Sequence, residues 1–251
     1  MSGHSKWSTI KRKKGVADAK RGAVFTRLTR EIVMSSREGG SDIDSNFRLR
    51  LAVDKARAEN MPKDNIERAI KRGSGEDKDG TVFEQITYEG YAPHGVAVMI
   101  ETVTDNRNRT VSDLRHALTK AGGSMGEVGS VAWQFDRIAY FSFPSTAMNF
   151  DKAFELGIEA GANDVIDDNG TIEIIGPVDT FKIIADRLHA GKVQPEEAGL
   201  RMLPKQEMEL NVEDTLKVMR ALEAIEELDD VQNVFSNLKV SEEALATLET
   251  A

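Results

Sequence analysis

Cysteine is absent from the 251-residue sequence. Its absence excludes disulfides, thiol nucleophiles, thiolate metal sites and redox switching together. Long apolar runs are missing as well, and no stretch approaches the ~18 residues of a membrane-spanning helix. Histidine is scarce. His4, His94, His116 and His189 are scattered without ligand spacing, so no metal site is expected. Phosphate-binding glycine loops are lacking too: Gly73-Ser74-Gly75 has no following Lys-Ser/Thr, and no glycine fingerprint joins a strand to a helix. Asp164, Asp167 and Asp168 beside Gly170 lack the alternate-residue spacing of a calcium loop and read as turn chemistry. The doublets Glu196-Glu197, Glu226-Glu227 and Asp229-Asp230 read as solvated surface. No nucleophile, base and orienting group assemble from local motifs. The expectation is a protein that is not an enzyme and has no cofactor. The opening residues, Met1 to Trp7, show no apolar run behind their charges, so no secretory signal is read there and a cytoplasmic protein is expected.

Apolar residues make up 40% of the chain and charged residues 30%. The apolar share suffices for packed cores, which excludes wholesale disorder. Net charge is −9, but the charge is unevenly placed. Residues 1–80 hold 19 Lys and Arg against 12 Asp and Glu, and residues 81–251 hold 14 against 30. Residues 1–30 alone hold nine cations and a single acid, Asp18. A basic front on an acidic body points to a polyanionic partner.

Residues 1–16 have no clear period and read as an extended basic arm. From Ala17, the spacing of Val24, Phe25, Leu28, Ile32 and Val33 predicts a helix that Gly39-Gly40 ends. A second helix is expected after Ser45, read as its N-cap. A third is expected after Pro62, with Ile66, Ala69 and Ile70 inward and Gly73 as its stop. Residues 74–82 read as a linker.

Beyond it, strands are expected over 83–89, 96–103, 131–135 and 138–143, with a helix over 110–121. Residues 138–203 then read β-α-β-β-α-β, with Asn169-Gly170 as a tight hairpin turn. A strand near 208–210, a helix over 213–227 and a strand over 231–235 follow, and 241–250 read as a short acidic tail. The fold expected is α+β: an N-terminal helical bundle, then two ferredoxin-like α/β domains, the third inserted into the second. The expected boundaries are 1–80, then 81–136 with 205–240, and 137–204.

The candidate binding residues follow from phosphate chemistry. A surface that tracks regularly spaced phosphates needs many cations and few anions, each contact releasing condensed counterions. Lys6, Lys11, Arg12, Lys13, Lys14, Lys20, Arg21, Arg27 and Arg30 provide that density, with Trp7 among them to stack on a base or sugar or to anchor the arm. Arg48, Arg50, Lys55, Arg57, Lys63, Arg68, Lys71 and Arg72 extend it along the next two helices. A second basic feature is Thr104-Asp-Asn-Arg-Asn-Arg-Thr110, between a strand and a helix. Arg107 and Arg109 there are placed for polar recognition, or else point to water while Asp105 and Asn106 make the turn and Thr110 or Ser112 caps the helix. The basic segment has no strongly apolar face beside its charges, so a membrane surface is not its partner. No helix-turn-helix with an obvious recognition helix is read, and no oligomeric state.

Several stretches resemble the YebC/PmpR family: Gly3-His-Ser-Lys-Trp-Ser-Thr-Ile-Lys11, Asp18-Ala-Lys-Arg-Gly22, Phe25-Thr26, Asn60 through Gly73, Tyr88-Glu-Gly-Tyr91, Thr104 through Thr110, and Gly129-Ser-Val-Ala-Trp133. The resemblance departs at Ala92 and His94, where the family often has Gly. It implies a helical N-terminal domain and two α/β domains. It also implies a regulator of gene expression that binds nucleic acid: either a DNA-binding transcriptional regulator, or a ribosome-associated translation factor that contacts ribosomal RNA and relieves stalling at proline runs.

Overall fold

A computed structural model describes residues 18–76 and 82–250, with side chains over 22–76 and 82–247. They divide into two compact units. The first takes the chain up to Phe135 and again from Pro204, and the second is Asp136–Leu203.

The first unit opens with three helices, α1 (Asp18–Gly39), α2 (Phe47–Ala58) and α3 (Lys63–Ser74). Leu28, Ile32 and Val33 form the buried stripe of α1, against Leu49, Ala52, Val53 and Ala56 of α2 and Ile66 and Ala69 of α3. The cap of α2 is Asn46 rather than the expected Ser45. Its Oδ1 accepts from Leu49 N–H at 3.0 Å, while its Nδ2 donates to the Ser35 and Gly40 carbonyls, each at 2.8 Å. One amide thus starts α2 and satisfies carbonyls at the end of α1, which a hydroxyl cannot do with one proton. Pro62 stands just before α3, as its missing N–H allows. Gly73 lies where α3 crosses α1: a Cβ there would stand 2.5 Å from the Val33 carbonyl oxygen and 2.6 Å from Ser36 Cβ. Ser36 Oγ donates to the Ile70 carbonyl at 2.9 Å across the same crossing.

A four-stranded sheet follows in the order β3-β1-β2-β9, from β1 (Glu84–Tyr91), β2 (Ala97–Thr104), β3 (Ser124–Met125) and β9 (Val231–Ser236). β1 and β2 are the central antiparallel hairpin, and β9 runs antiparallel on β2. Helices α4 (Arg107–Ala121) and α7 (Val212–Glu226) cover one face, packing Leu114, Leu118, Met219, Leu222 and Ile225 on Val98, Ile100 and Val234. Strand alternation sends Val103 to the other face, where it joins Phe83 in the core of the three helices. Short strands β8 (Met208–Glu209) and β10 (Leu238–Lys239) pair in parallel.

Two further expectations fail in this unit. Residues 131–135 are not a strand: Ala132–Gln134 form a 3-10 turn, and pairing resumes only at Phe135. The cause is Glu89, whose carboxylate accepts from Gly129, Val131 and Ala132 N–H at 2.6, 2.7 and 2.9 Å, curling the backbone instead of extending it. Nor are residues 241–250 a mere tail. Glu242–Thr250 form helix α8, with Ala244 and Leu245 buried and Ser241 Oγ accepting from Ala244 N–H.

The second unit is built from β4 (Phe135–Pro144), α5 (Phe150–Ala160), β5 (Asp164–Asp168), β6 (Thr171–Pro177), α6 (Phe181–Ala190) and β7 (Glu197–Pro204). Its sheet order is β5-β6-β4-β7, the split-βαβ arrangement in which the first and third strands are central. Phe141, Phe143, Ile172, Ile174, Ile184 and Leu188 are fully buried. Asn169 and Gly170 make the expected tight turn, both with positive φ (50° and 89°).

Substituting Gly73→Ala should lower stability by about 1–3 kcal/mol, because the added methyl meets backbone that has no room to move. Urea midpoints of the two proteins measure it, and equal midpoints refute it.

Candidate nucleic-acid interface

Lys6, Trp7, Lys11, Arg12, Lys13 and Lys14 lie outside the described residues. Lys20 and Arg21 lie on the first turn of α1. Arg27, also on α1, is half-buried and pairs with nothing among the described residues.

Arg30 is a correction. It is buried at 7% exposure, and its guanidinium pairs with the Asp230 carboxylate at 2.8 Å and donates to the Asp229 carbonyl. The Asp229-Asp230 doublet is therefore not plain solvated surface. The Asp230 side chain is 6% exposed and gathers groups from three elements. Thr110 Oγ1 at 2.7 Å and Arg109 Nη2 at 2.9 Å reach it from α4, Thr104 Oγ1 at 3.1 Å from the end of β2, and Arg30 from α1. Burial opposes its charge, but the hydroxyl of Thr110 and the two guanidiniums outweigh burial and hold its pKa below the ordinary value. Glu197 is likewise buried, in an ion pair with Arg201 of the same strand.

The segment 104–110 is mostly explained by that carboxylate. Asn106, not Thr110, caps α4, accepting from Arg109 N–H at 3.1 Å. The Arg109 side chain is 45% exposed and bridges Asp105 and Asp230, while Arg107 pairs with Glu84, its Nε 2.7 Å from the carboxylate. Of the pair, Arg107 is the more open, at 67%. A cleft of about 530 Å³ lies beside the network, and Asp105, Asp113, Glu227 and Asp229 line it. That lining repels a polyanion.

The helices present a different surface. α2 and α3 are joined by four residues, Glu59 to Pro62, in which Asn60 takes a left-handed φ of 59°. The order is thus helix, short turn, helix. The outward residues of α3 are Lys63, Asp64, Glu67, Arg68 and Lys71. Lys63 pairs with Glu67 at 3.5 Å, whereas Arg68 and Lys71 make no hydrogen bond or ion pair among the described residues. Arg72 instead turns inward and lays its guanidinium over the Phe83 ring, 4.4 Å from the centroid. On α2, Arg48 pairs with Glu38 and Arg57 with Asp54.

One exposed aromatic, named above only within the Gly129–Trp133 stretch, is Trp133. Trp133 is 68% exposed, its Nε1 donating to the Ser130 carbonyl at 3.1 Å, on the loop that Glu89 holds. Burial raises the Glu89 pKa, but the three backbone N–H donors outweigh it and leave the group below its ordinary value. Among the described residues no group of three or more His, Asp or Glu is placed to hold a metal ion, and no helix is long and apolar enough to cross a membrane.

Fold and surface together define an α+β protein with a cation-bearing helical domain ahead of acidic α/β layers. Comparison with known proteins makes this particular. Residues 5–76 match the family described as TACO1/YebC protein N-terminal domain, and residues 83–238 match TACO1/YebC second and third domain. The chain is 50% identical over 245 residues to a probable transcriptional regulatory protein of Geotalea uraniireducens (strain Rf4), covering 98% of each chain. It is 50% identical over 250 residues to one of Acidithiobacillus ferrooxidans (strain ATCC 53993 / BNL-5-31), covering 99% of each. The crystal structure of a conserved hypothetical protein from Aquifex aeolicus superposes with a TM-score of 0.80 at 42% identity, over 91% of this chain and 94% of that one. The chain belongs to the TACO1/YebC family.

Asp230→Ala leaves Arg30 buried without its carboxylate and should cost about 3 kcal/mol at neutral pH. Because the folded pKa of Asp230 is depressed, the stability it contributes is present above the ordinary carboxylate range. That stability is lost as pH falls through the lower folded value. The gap between parent and variant should therefore narrow on acidification. Urea midpoints at neutral and acid pH measure both effects, and a neutral-pH midpoint equal to the parent's defeats the prediction.

Proposed function

We propose that this chain is a regulator of gene expression that binds nucleic acid, DNA in the first instance, through the basic arm and the outward face of α3. The carrying observation is the sorting of cations. Arg30 and Arg109 are engaged by internal carboxylates, and Arg72 packs inward on Phe83. Arg68 and Lys71 of the helical domain are exposed and, like the half-buried Arg27, form no ion pair among the described residues, on the same 1–80 segment that holds 19 cations against 12 acids.

Arg68 and Lys71 lie three residues apart on one helix face, so both can reach neighbouring phosphates of one strand. Lys6, Trp7, Lys11, Arg12, Lys13 and Lys14, ahead of α1, and Lys20 and Arg21, on its first turn, add contacts. Arg107 stands as a lesser contact. The acids of the Asp230 cleft, Asp105, Asp113, Glu227 and Asp229, disfavour a polyanion there. The name of these relatives, probable transcriptional regulatory protein, agrees with this reading. The same cations would suit ribosomal RNA, which is the reading the experiment sets against it.

Fluorescence anisotropy with labelled duplex DNA, repeated across salt concentrations, tests the proposal. Each lost phosphate contact should reduce the slope of log K against log salt by about 0.9. Arg68→Ala with Lys71→Ala, and separately Lys11, Arg12, Lys13 and Lys14 to Ala, should weaken binding to all sequences alike and flatten the slope. An unchanged slope in both variants overturns the assignment of the surface. Preference for a ribosomal RNA fragment over duplex DNA by more than tenfold at matched salt overturns the choice of DNA.

A further inference from the structure

Helix α5 of the second unit shows three faces. Ala153, Gly157 and Ala160 are buried. Phe150, Phe154 and Ile158 follow at steps of four on the next face, and they are 36%, 45% and 61% exposed. The two phenyl rings stand 5.8 Å apart, so the stripe is continuous. Beside it runs a second stripe at the same steps, Asp151, Glu155 and Glu159, all exposed. Glu159 is tied to Arg187 of α6, whereas Asp151 and Glu155 make no ion pair among the described residues.

A ladder of three large apolar side chains left in water costs solvation free energy that burial against a partner would recover. We infer that this face of α5 is a docking surface for a basic amphipathic helix of another protein. The carboxylate stripe sets the partner's charge. It repels nucleic acid, and the unit as a whole holds twelve acidic residues against six basic ones. A second copy of the same helix, packed antiparallel about a two-fold axis, would bring like carboxylates face to face, which disfavours self-association through this surface. A helix with apolar residues at steps of three and four and lysines or arginines along one flank meets both stripes at once. This goes beyond the nucleic-acid reading and does not rest on it.

The test uses the full-length protein and two labelled model peptides. Both are helical with a leucine stripe at steps of four. One is flanked by lysine and the other by glutamate. Anisotropy should show saturable, salt-sensitive binding of the lysine peptide and none of the glutamate peptide. Phe154→Ser with Ile158→Ser should weaken it at least tenfold. Asp151→Lys with Glu155→Lys should weaken the lysine peptide at least tenfold and allow the glutamate peptide to bind. All four side chains are exposed, so thermal unfolding of both variants should match the parent. Failure of the lysine peptide to bind the parent, or equal binding to parent and variants, overturns the inference. So does sedimentation showing a parent dimer that Phe154→Ser with Ile158→Ser dissociates, since the occupant is then a second copy.

Discussion

One buried carboxylate ties the first unit together. Asp230 stands just before β9 and is met by a guanidinium from α1, a hydroxyl from the end of β2, and a hydroxyl and a guanidinium from α4. A charge so buried is tolerated only because every approach to it is a donor. The three-helix domain is therefore not merely laid against the sheet. Arg30 reaches across to the turn before β9, Arg37 donates to the Phe83 carbonyl at 2.7 Å, and Phe83 packs in the helices' own core.

That arrangement decides what the cations of this molecule are for. Arginines that read alike in the sequence divide into those that neutralise internal acids and those that remain outside. Arg30 and Arg109 are of the first kind, Arg68 of the second. The acids of the Asp230 cleft make the boundary sharper, because a polyanion that approached Arg109 would meet Asp105, Asp113 and Asp229 there.

Glu89 solves a similar problem by other means. It too is buried, but its charge is met by three successive-loop backbone N–H groups instead of side-chain cations. Capture of those donors takes them away from any strand pairing, so an apolar stretch with strand-like composition becomes a 3-10 turn that leaves Trp133 outside. Polar satisfaction outranks local propensity when the two compete for the same N–H groups.

Periodicity made the helices and most strands legible, because a 3.6-residue or two-residue apolar repeat is local and survives without its partners. The α5-to-β7 order and the Asn169-Gly170 turn were legible for the same reason, and the basic front was legible from composition. Burial of charge was not legible. Nothing in the doublet Asp229-Asp230 distinguishes it from Asp167-Asp168, yet Asp230 is buried while its neighbour lines an open cleft. Nor does the threonine that precedes both Arg27 and Arg30 tell which of them is enclosed. Which acid is enclosed, which arginine serves it, and which cations are left for a ligand depend on residues some two hundred positions apart. Only the packed structure brings those together.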